Sequence, residues 1–140
     1  MTTVPNTARH RDRRRTWRLP SVEGSLPLLR RELGVHLKTS TLSADERYDL
    51  ILSVSEAASN AVEHAPMPRE PFFNVAAVIE DATVTVTVHN PGRWLPSTDS
   101  RLRGRGVLMM HQLTDATVAT AGGRTTVTMR KLSAAPSATT

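Results

Sequence analysis

Four polar residues spaced for one side of a helix are the first place in this sequence where chemistry could be assembled. Between Leu52 and Ala65, the residues Ser53, Glu56, Asn60 and His64 recur at intervals of three and four, so at about 100° per residue they form a polar stripe. It borders an apolar stripe made by Leu50, Val54, Ala57, Ala61 and Ala65. A carboxylate, an amide and an imidazole are thereby stacked one turn apart at the margin of a buried face. An amide oxygen is a hard donor suited to Mg²⁺, and a carboxylate one turn away can take up a proton. The same spacing also suits an ordinary solvated helix face with i, i+4 side-chain pairs. The segment alone leaves both readings open.

Three further segments carry polar groups where a ligand could use them. Asn90 ends an alternating run and shares a side with Val84, Val86 and Val88, so its amide is directed inward and needs a partner. That partner is either the edge of a ligand base or the local backbone of an Asx-turn ahead of Pro91 and Gly92. Arg103-Gly104-Arg105-Gly106 stands directly before the apolar run Val107-Leu108-Met109-Met110. Glycine backbone and a helix N-terminus can together hold an anion, with the arginines adding charge; a plain loop is the competing reading. No Gly-Lys-Ser/Thr occurs, so this is not a Walker A loop, and it is not a dinucleotide fingerprint. Thr125 shares its face with Val127 and Met129, which points its hydroxyl inward too. The five histidines show no metal-type pairing, and no zinc site is read.

The elements that must position these groups follow from periodicity and turn chemistry. Leucines at 26, 29, 33 and 37 predict a helix over 26–37 with Pro27 in its first turn. Ser43 with Glu46 three residues on predicts the start of a second helix, running to Ala65 before Pro66 and Pro68. Strands are expected at 72–80 and 83–89, turned by Asp81-Ala82, and at 117–121 and 125–131, turned by Gly122-Gly123, with a first strand at 16–19. Between them lie a loop over 90–106 and a short helix over 107–113. Hairpins in place of alternating crossovers imply an α+β layer fold with a largely antiparallel sheet.

Composition sets the outer bounds. The 140 residues suffice for one core, and only 4% are aromatic, so that core must rest on Val, Leu, Ala and Met. Cysteine is absent, which excludes disulfides, a thiol nucleophile and thiolate metal sites, and makes a cytoplasmic location the expectation. No apolar run reaches the roughly 20 residues of a membrane span. The net charge is +5, yet six arginines (9, 11, 13, 14, 15 and 18) against Asp12 account for it, and the remainder is neutral. The chain is therefore expected to divide into a disordered basic tail over 1–15, a domain over 16–132 and a disordered tail over 133–140. A basic arm could touch phosphates, but as a solvated tail it needs no such role, and direct nucleic-acid binding is not the expectation.

In this order and at these separations, the four segments resemble the nucleotide-binding motifs of the histidine-kinase-like (GHKL) ATPase superfamily. The likeness is to its anti-sigma factor serine/threonine-protein kinases, and it runs from about Trp17 to Lys131. Its most specific part is Glu56-Ala57-Ala58-Ser59-Asn60-Ala61-Val62-Glu63-His64, similar to the family pattern Glu-x-x-x-Asn-Ala-x-x-His. The resemblance implies a two-layer α/β sandwich of the Bergerat type, with a mixed, mostly antiparallel sheet covered on one face by helices. It implies ATP and Mg²⁺ as cofactors, Glu56 as the catalytic base and Asn60 on Mg²⁺. Nucleotide contacts would come from Asn60, His64, Asn90 and Gly92, from Arg103, Gly104, Arg105, Gly106 and Val107, and from Thr125, with residues 93–103 as a short lid.

Implied partners are a sigma factor and an anti-anti-sigma antagonist phosphorylated on serine, in a partner-switching circuit, with a homodimer and no membrane. Two positions depart from the pattern. Asn90 stands where the family has an Asp accepting from the adenine amino group, a neutral acceptor in place of a charged one. Arg124 stands where a glycine is usual. Asn90 motivates a second reading, a catalytically weak or inactive module of the same fold that regulates a sigma factor or other partner by sequestration.

Overall fold

The computed structural model describes residues 13–63, 71–91 and 109–134. Two helices, α1 (Ser25–Leu37) and α2 (Ala44–Glu63), are joined to five strands: β1 (Arg14–Pro20), β2 (Phe72–Glu80), β3 (Thr83–Asn90), β4 (Asp115–Ala121) and β5 (Arg124–Leu132). The strands form one sheet in the order β1-β2-β3-β5-β4. Every described pairing is antiparallel, so none of the parallel pairing expected of a mixed sheet occurs among the described residues. No described helix is long and apolar enough to cross a membrane.

Helix α2 starts, and helix α1 stops, for local reasons. Ser43 and Glu46 close a reciprocal box: the Glu46 N–H donates to Ser43 Oγ at 3.1 Å, and the Ser43 N–H donates to Glu46 Oε1 at 2.8 Å. Two donors left over at the helix N-terminus are thus satisfied. At the end of α1, Ser40 Oγ and Thr39 Oγ1 donate to the Leu37 and His36 carbonyls at 2.6 and 2.8 Å. The two hairpins also turn where expected. Gly122 and Gly123 have φ of 61° and 80°, and Asp81 takes φ 54°, a conformation Asp tolerates better than most side chains.

Alternation along the strands sends one set of side chains under the helices. Phe73, Val75, Ala77 and Ile79 of β2, Val84, Val86 and Val88 of β3, and Val127 and Met129 of β5 are buried with Leu29, Leu33, Leu37, Leu50 and Val54 in a single core. Helix α2 packs against α1 and against β2, β3 and β5, while α1 reaches β1. The result is two layers, with helices on one face of the sheet.

The domain is longer at both ends than the composition suggests. Arg14 and Arg15, assigned from composition to a basic tail, lie in β1, and the Arg13 carbonyl accepts from the Ile79 N–H at 3.0 Å. Backbone pairing to β2 overrides the low hydrophobicity of the run. At the other end, the Ser133 N–H donates to the Ala82 carbonyl at 2.8 Å, and Ser133 Oγ donates to the Thr41 carbonyl at 3.1 Å. The Ala134 N–H reaches Glu46 Oε2 at 2.8 Å, so the expected tail from 133 begins with two anchored residues. The second helix is described as far as Glu63. Of the expected short helix at 107–113, residues 109–113 are described, and they are helical.

Candidate functional site

Helix α2 presents the polar stripe much as its spacing predicts, with one change. With Leu50 taken as the origin and about 100° per residue, Ala57, Ala61 and Val54 lie within about 40° of it, Ser53 about 60° to one side and Ala58 about 80° to the other. All are buried, Ser53 to 0% exposure. Ser53 therefore belongs to the core and not to the border, because α2 is held between α1 and the sheet and buries a wider arc than a two-sided amphipathic helix does. Its Oγ has no hydrogen-bond partner among the described residues. Asn60 and Glu56 lie further around the same side, and both are half-buried.

The two border residues differ in what they need. Asn60 Oδ1 is buried and has no hydrogen-bond partner among the described residues, which leaves a hard acceptor oxygen available. Burial pushes the Glu56 carboxyl above its usual range, and the Glu63 carboxylate two turns along pushes it further in the same direction. A carboxylate with raised proton affinity is a better base at neutral pH.

The sheet supplies the other pair. Asn90 at the end of β3 sits directly opposite Thr125 near the start of β5, and the two are 3% and 0% exposed. Thr125 Oγ1 has no hydrogen-bond partner among the described residues. Their neighbours in the same ladder, His89 and Thr126, point to the opposite face and bond to each other, Nδ1 to Oγ1, at 3.0 Å. Asn90 and Thr125 therefore face the helix layer, on two of the three strands against which α2 packs. A buried amide and a buried hydroxyl side by side suit the polar edge of a planar heterocycle. Pairing across 35 positions brings them together, a relation that neither strand's own pattern contains.

Of the residues assigned from sequence, Glu56 and Asn60 share α2, and Asn90 and Thr125 share one rung of the sheet. His64, Gly92, Arg103, Gly104, Arg105, Gly106 and Val107 lie outside the described residues. Ser53 is a buried polar residue that the sequence reading left at the border; its signal is its place three residues from Leu50 and four from Ala57. No group of three or more His, Cys, Asp or Glu that could hold a metal ion occurs among the described residues. A cation here would take Asn60 Oδ1 together with oxygens of its ligand and water, the arrangement Mg²⁺ favours in nucleotide sites.

Comparison with known proteins bears on the whole domain. No curated protein matches the sequence significantly. Among solved structures, the RsbU and RsbW domains of Rv1364c from Mycobacterium tuberculosis superpose with a TM-score of 0.71 at 23% identity, over 90% of this chain and 34% of that one. The chain thus spans about a third of that protein's length. The SiaB–SiaC complex from Pseudomonas aeruginosa gives a TM-score of 0.60 at 16% identity, over 94% of this chain and 98% of the other. At these identities the likeness is one of fold. The model of the histidine kinase-like ATPase domain matches residues 19–131, and with more than half its length covered, the chain belongs to the histidine kinase-like ATPase domain family.

Proposed function

We propose that this protein binds ATP with Mg²⁺ and acts as an anti-sigma regulatory factor with serine/threonine-protein kinase activity, phosphorylating an anti-anti-sigma antagonist in a partner-switching circuit. The observation that carries the reading is on α2: Asn60 Oδ1 is buried and unsatisfied among the described residues, one turn from a carboxylate whose proton affinity is raised by burial. In this reading Asn60 holds the cation and Glu56 takes the proton of the acceptor hydroxyl on a carboxylate oxygen. Asn90 and Thr125 orient the adenine edge, and the Arg103–Val107 segment with His64 and Gly92 completes the nucleotide contacts. Mg²⁺ held by Asn60 would supply neutralisation of the phosphate charge. The names of the superposed proteins, RsbW and SiaB among them, support a partner-switching role. A sigma factor as second partner, a homodimer and a cytoplasmic setting complete the proposal.

The neutral Asn90 favours a second reading, in which the fold persists with a weakened pocket and regulation works by sequestration. Calorimetric titration with ATP, with and without Mg²⁺, separates the two. Magnesium-dependent binding that is lost in Asn60→Ala supports the first. Absence of binding by the wild type, restored in Asn90→Asp, supports the second.

A further inference from the structure

Strand β1 divides its arginines between two faces. Side chains alternate along a strand, and on the helix side Leu19 is buried, Trp17 meets His36 edge-on with centroids 6.3 Å apart, and Arg15 pairs with Glu32 at 2.6 Å. Arg13, on that side too, donates to the Thr39 carbonyl. These residues clamp β1 to α1. Arg14 and Arg18 project from the opposite, helix-free face. Among the described residues neither is paired with a carboxylate. Arg18 lies 4.5 Å from the centroid of the Phe72 ring, a contact that holds the guanidinium in place without neutralising it.

A groove of about 280 Å³ opens on this face, and Arg14, Thr16, Arg18, Asn74, Thr87 and His89 contribute to its lining. The strand register sets Arg18, Asn74 and His89 in one row across three strands, with Thr16 and Thr87 in the next. His89 is fixed through Nδ1 to Thr126. Among the described strand residues, the acids that share the face lie in its outer rows: Glu80 opposite Thr83, and Asp115 beside Arg130 at 3.9 Å. The groove therefore combines two cations that have no carboxylate partner among the described residues with hydroxyl, amide and imidazole groups.

We propose that this groove is a docking site for an acidic, extended peptide segment of a partner protein. Arg14 and Arg18 stand four residues apart on one strand, roughly 13 Å, which is the separation of side chains i and i+4 on an extended peptide lying alongside. Carboxylates at that spacing meet both arginines. Single-stranded nucleic acid needs aromatic platforms for its bases; Phe72 on this face is covered by Arg18, and the ring of Trp17, which also lines the groove, is turned to His36. A second copy of the chain would set arginine against arginine. The groove lies across the sheet from Glu56 and Asn60, so docking here is compatible with an occupied nucleotide site and does not depend on one.

The test is fluorescence anisotropy of the full chain with a fluorescein-labelled dodecapeptide of alternating Glu and Thr. Parallel titrations use the Gln-for-Glu peptide and an oligo-dT of equal charge. Saturable binding of the acidic peptide alone is expected. It should weaken about fivefold or more in Arg14→Gln/Arg18→Gln, as two partly exposed ion pairs imply, and by less in Arg30→Gln/Arg31→Gln, which removes the same charge from exposed positions of α1. Thr87→Glu, which sets a carboxylate in the groove, should weaken it as well, with melting temperature unchanged in all variants. Equal binding of the Gln peptide, affinity untouched by Arg14→Gln/Arg18→Gln, or tighter binding of oligo-dT through the same two arginines would each overturn the proposal.

Discussion

Replacing Thr125 by valine should move stability and ligand affinity in opposite directions. Thr125 is 0% exposed, its Oγ1 has no hydrogen-bond partner among the described residues, and it stands opposite Asn90 on the face it shares with Val127 and Met129. A buried hydroxyl without a partner costs about 1–3 kcal/mol. Valine keeps the β-branched shape and removes that cost, so Thr125→Val is expected to stabilise the ligand-free protein by about 1 kcal/mol. For a domain of this size that raises Tm by roughly 3–5 °C. A hydroxyl held for a ligand contributes one neutral hydrogen bond, about 1 kcal/mol, so the same substitution should weaken ATP binding roughly fivefold. Thr125→Ser provides the complement: it loses a packed methyl and about 1 kcal/mol of stability, but keeps affinity within about twofold. Urea unfolding followed by tryptophan fluorescence reads the first quantity, and calorimetric titration with ATP the second. A valine variant destabilised by 1 kcal/mol or more would show that the hydroxyl is bonded within the protein, and unchanged affinity would remove Thr125 from the site.

Other expectations follow from the same structure. Glu56→Gln should abolish phosphotransfer and retain ATP binding, whereas Glu63→Gln, by removing the like charge that raises the Glu56 carboxyl, should move the acid limb of the rate profile to lower pH; no movement, or movement upward, refutes the coupling. Burial lowers the proton affinity of His36 below its ordinary value near 6.5, with Arg15 and Arg13 adding to the effect against a backbone hydrogen bond to Arg13 that opposes it. The folded protein then binds this proton less readily than the unfolded chain does. Its contribution to stability is complete above about pH 6.5 and is lost as pH falls below it, so urea midpoints should drop between about pH 7 and 5, with a shallower drop in His36→Gln. Ser43→Ala, which opens the box at the start of α2, should cost about 1 kcal/mol in the same unfolding assay.

The repeat of apolar residues made most of the elements legible. Leucines at 29, 33 and 37 could be read as one helix face, and the alternation of Val84, Val86 and Val88 as a half-buried strand, because those periods belong to the backbone itself. The turn at Gly122-Gly123 and the Ser43–Glu46 box were legible for a similar reason, since each is chemistry within a few residues. The edges were not. Arg14 and Arg15 looked like tail by composition, yet they pair with Val78 and Ala77 of β2, and Ser133 is held by Ala82 and Thr41. Backbone pairing from a distant strand supplies hydrogen bonds that no hydrophobic pattern announces.

The candidate site divides along the same line. The sequence by itself determined that Glu56 and Asn60 share a helix side, and that Asn90 and Thr125 each turn a polar group toward a buried face, because these are relations along a single element. Only the tertiary structure decided that Asn90 and Thr125 stand on one rung, that Ser53 lies in the core, and that alternate arginines of β1 serve two unrelated surfaces. Periodicity reports which side of an element is apolar; which element covers that side, and in what register, is settled by the packing of all of them at once.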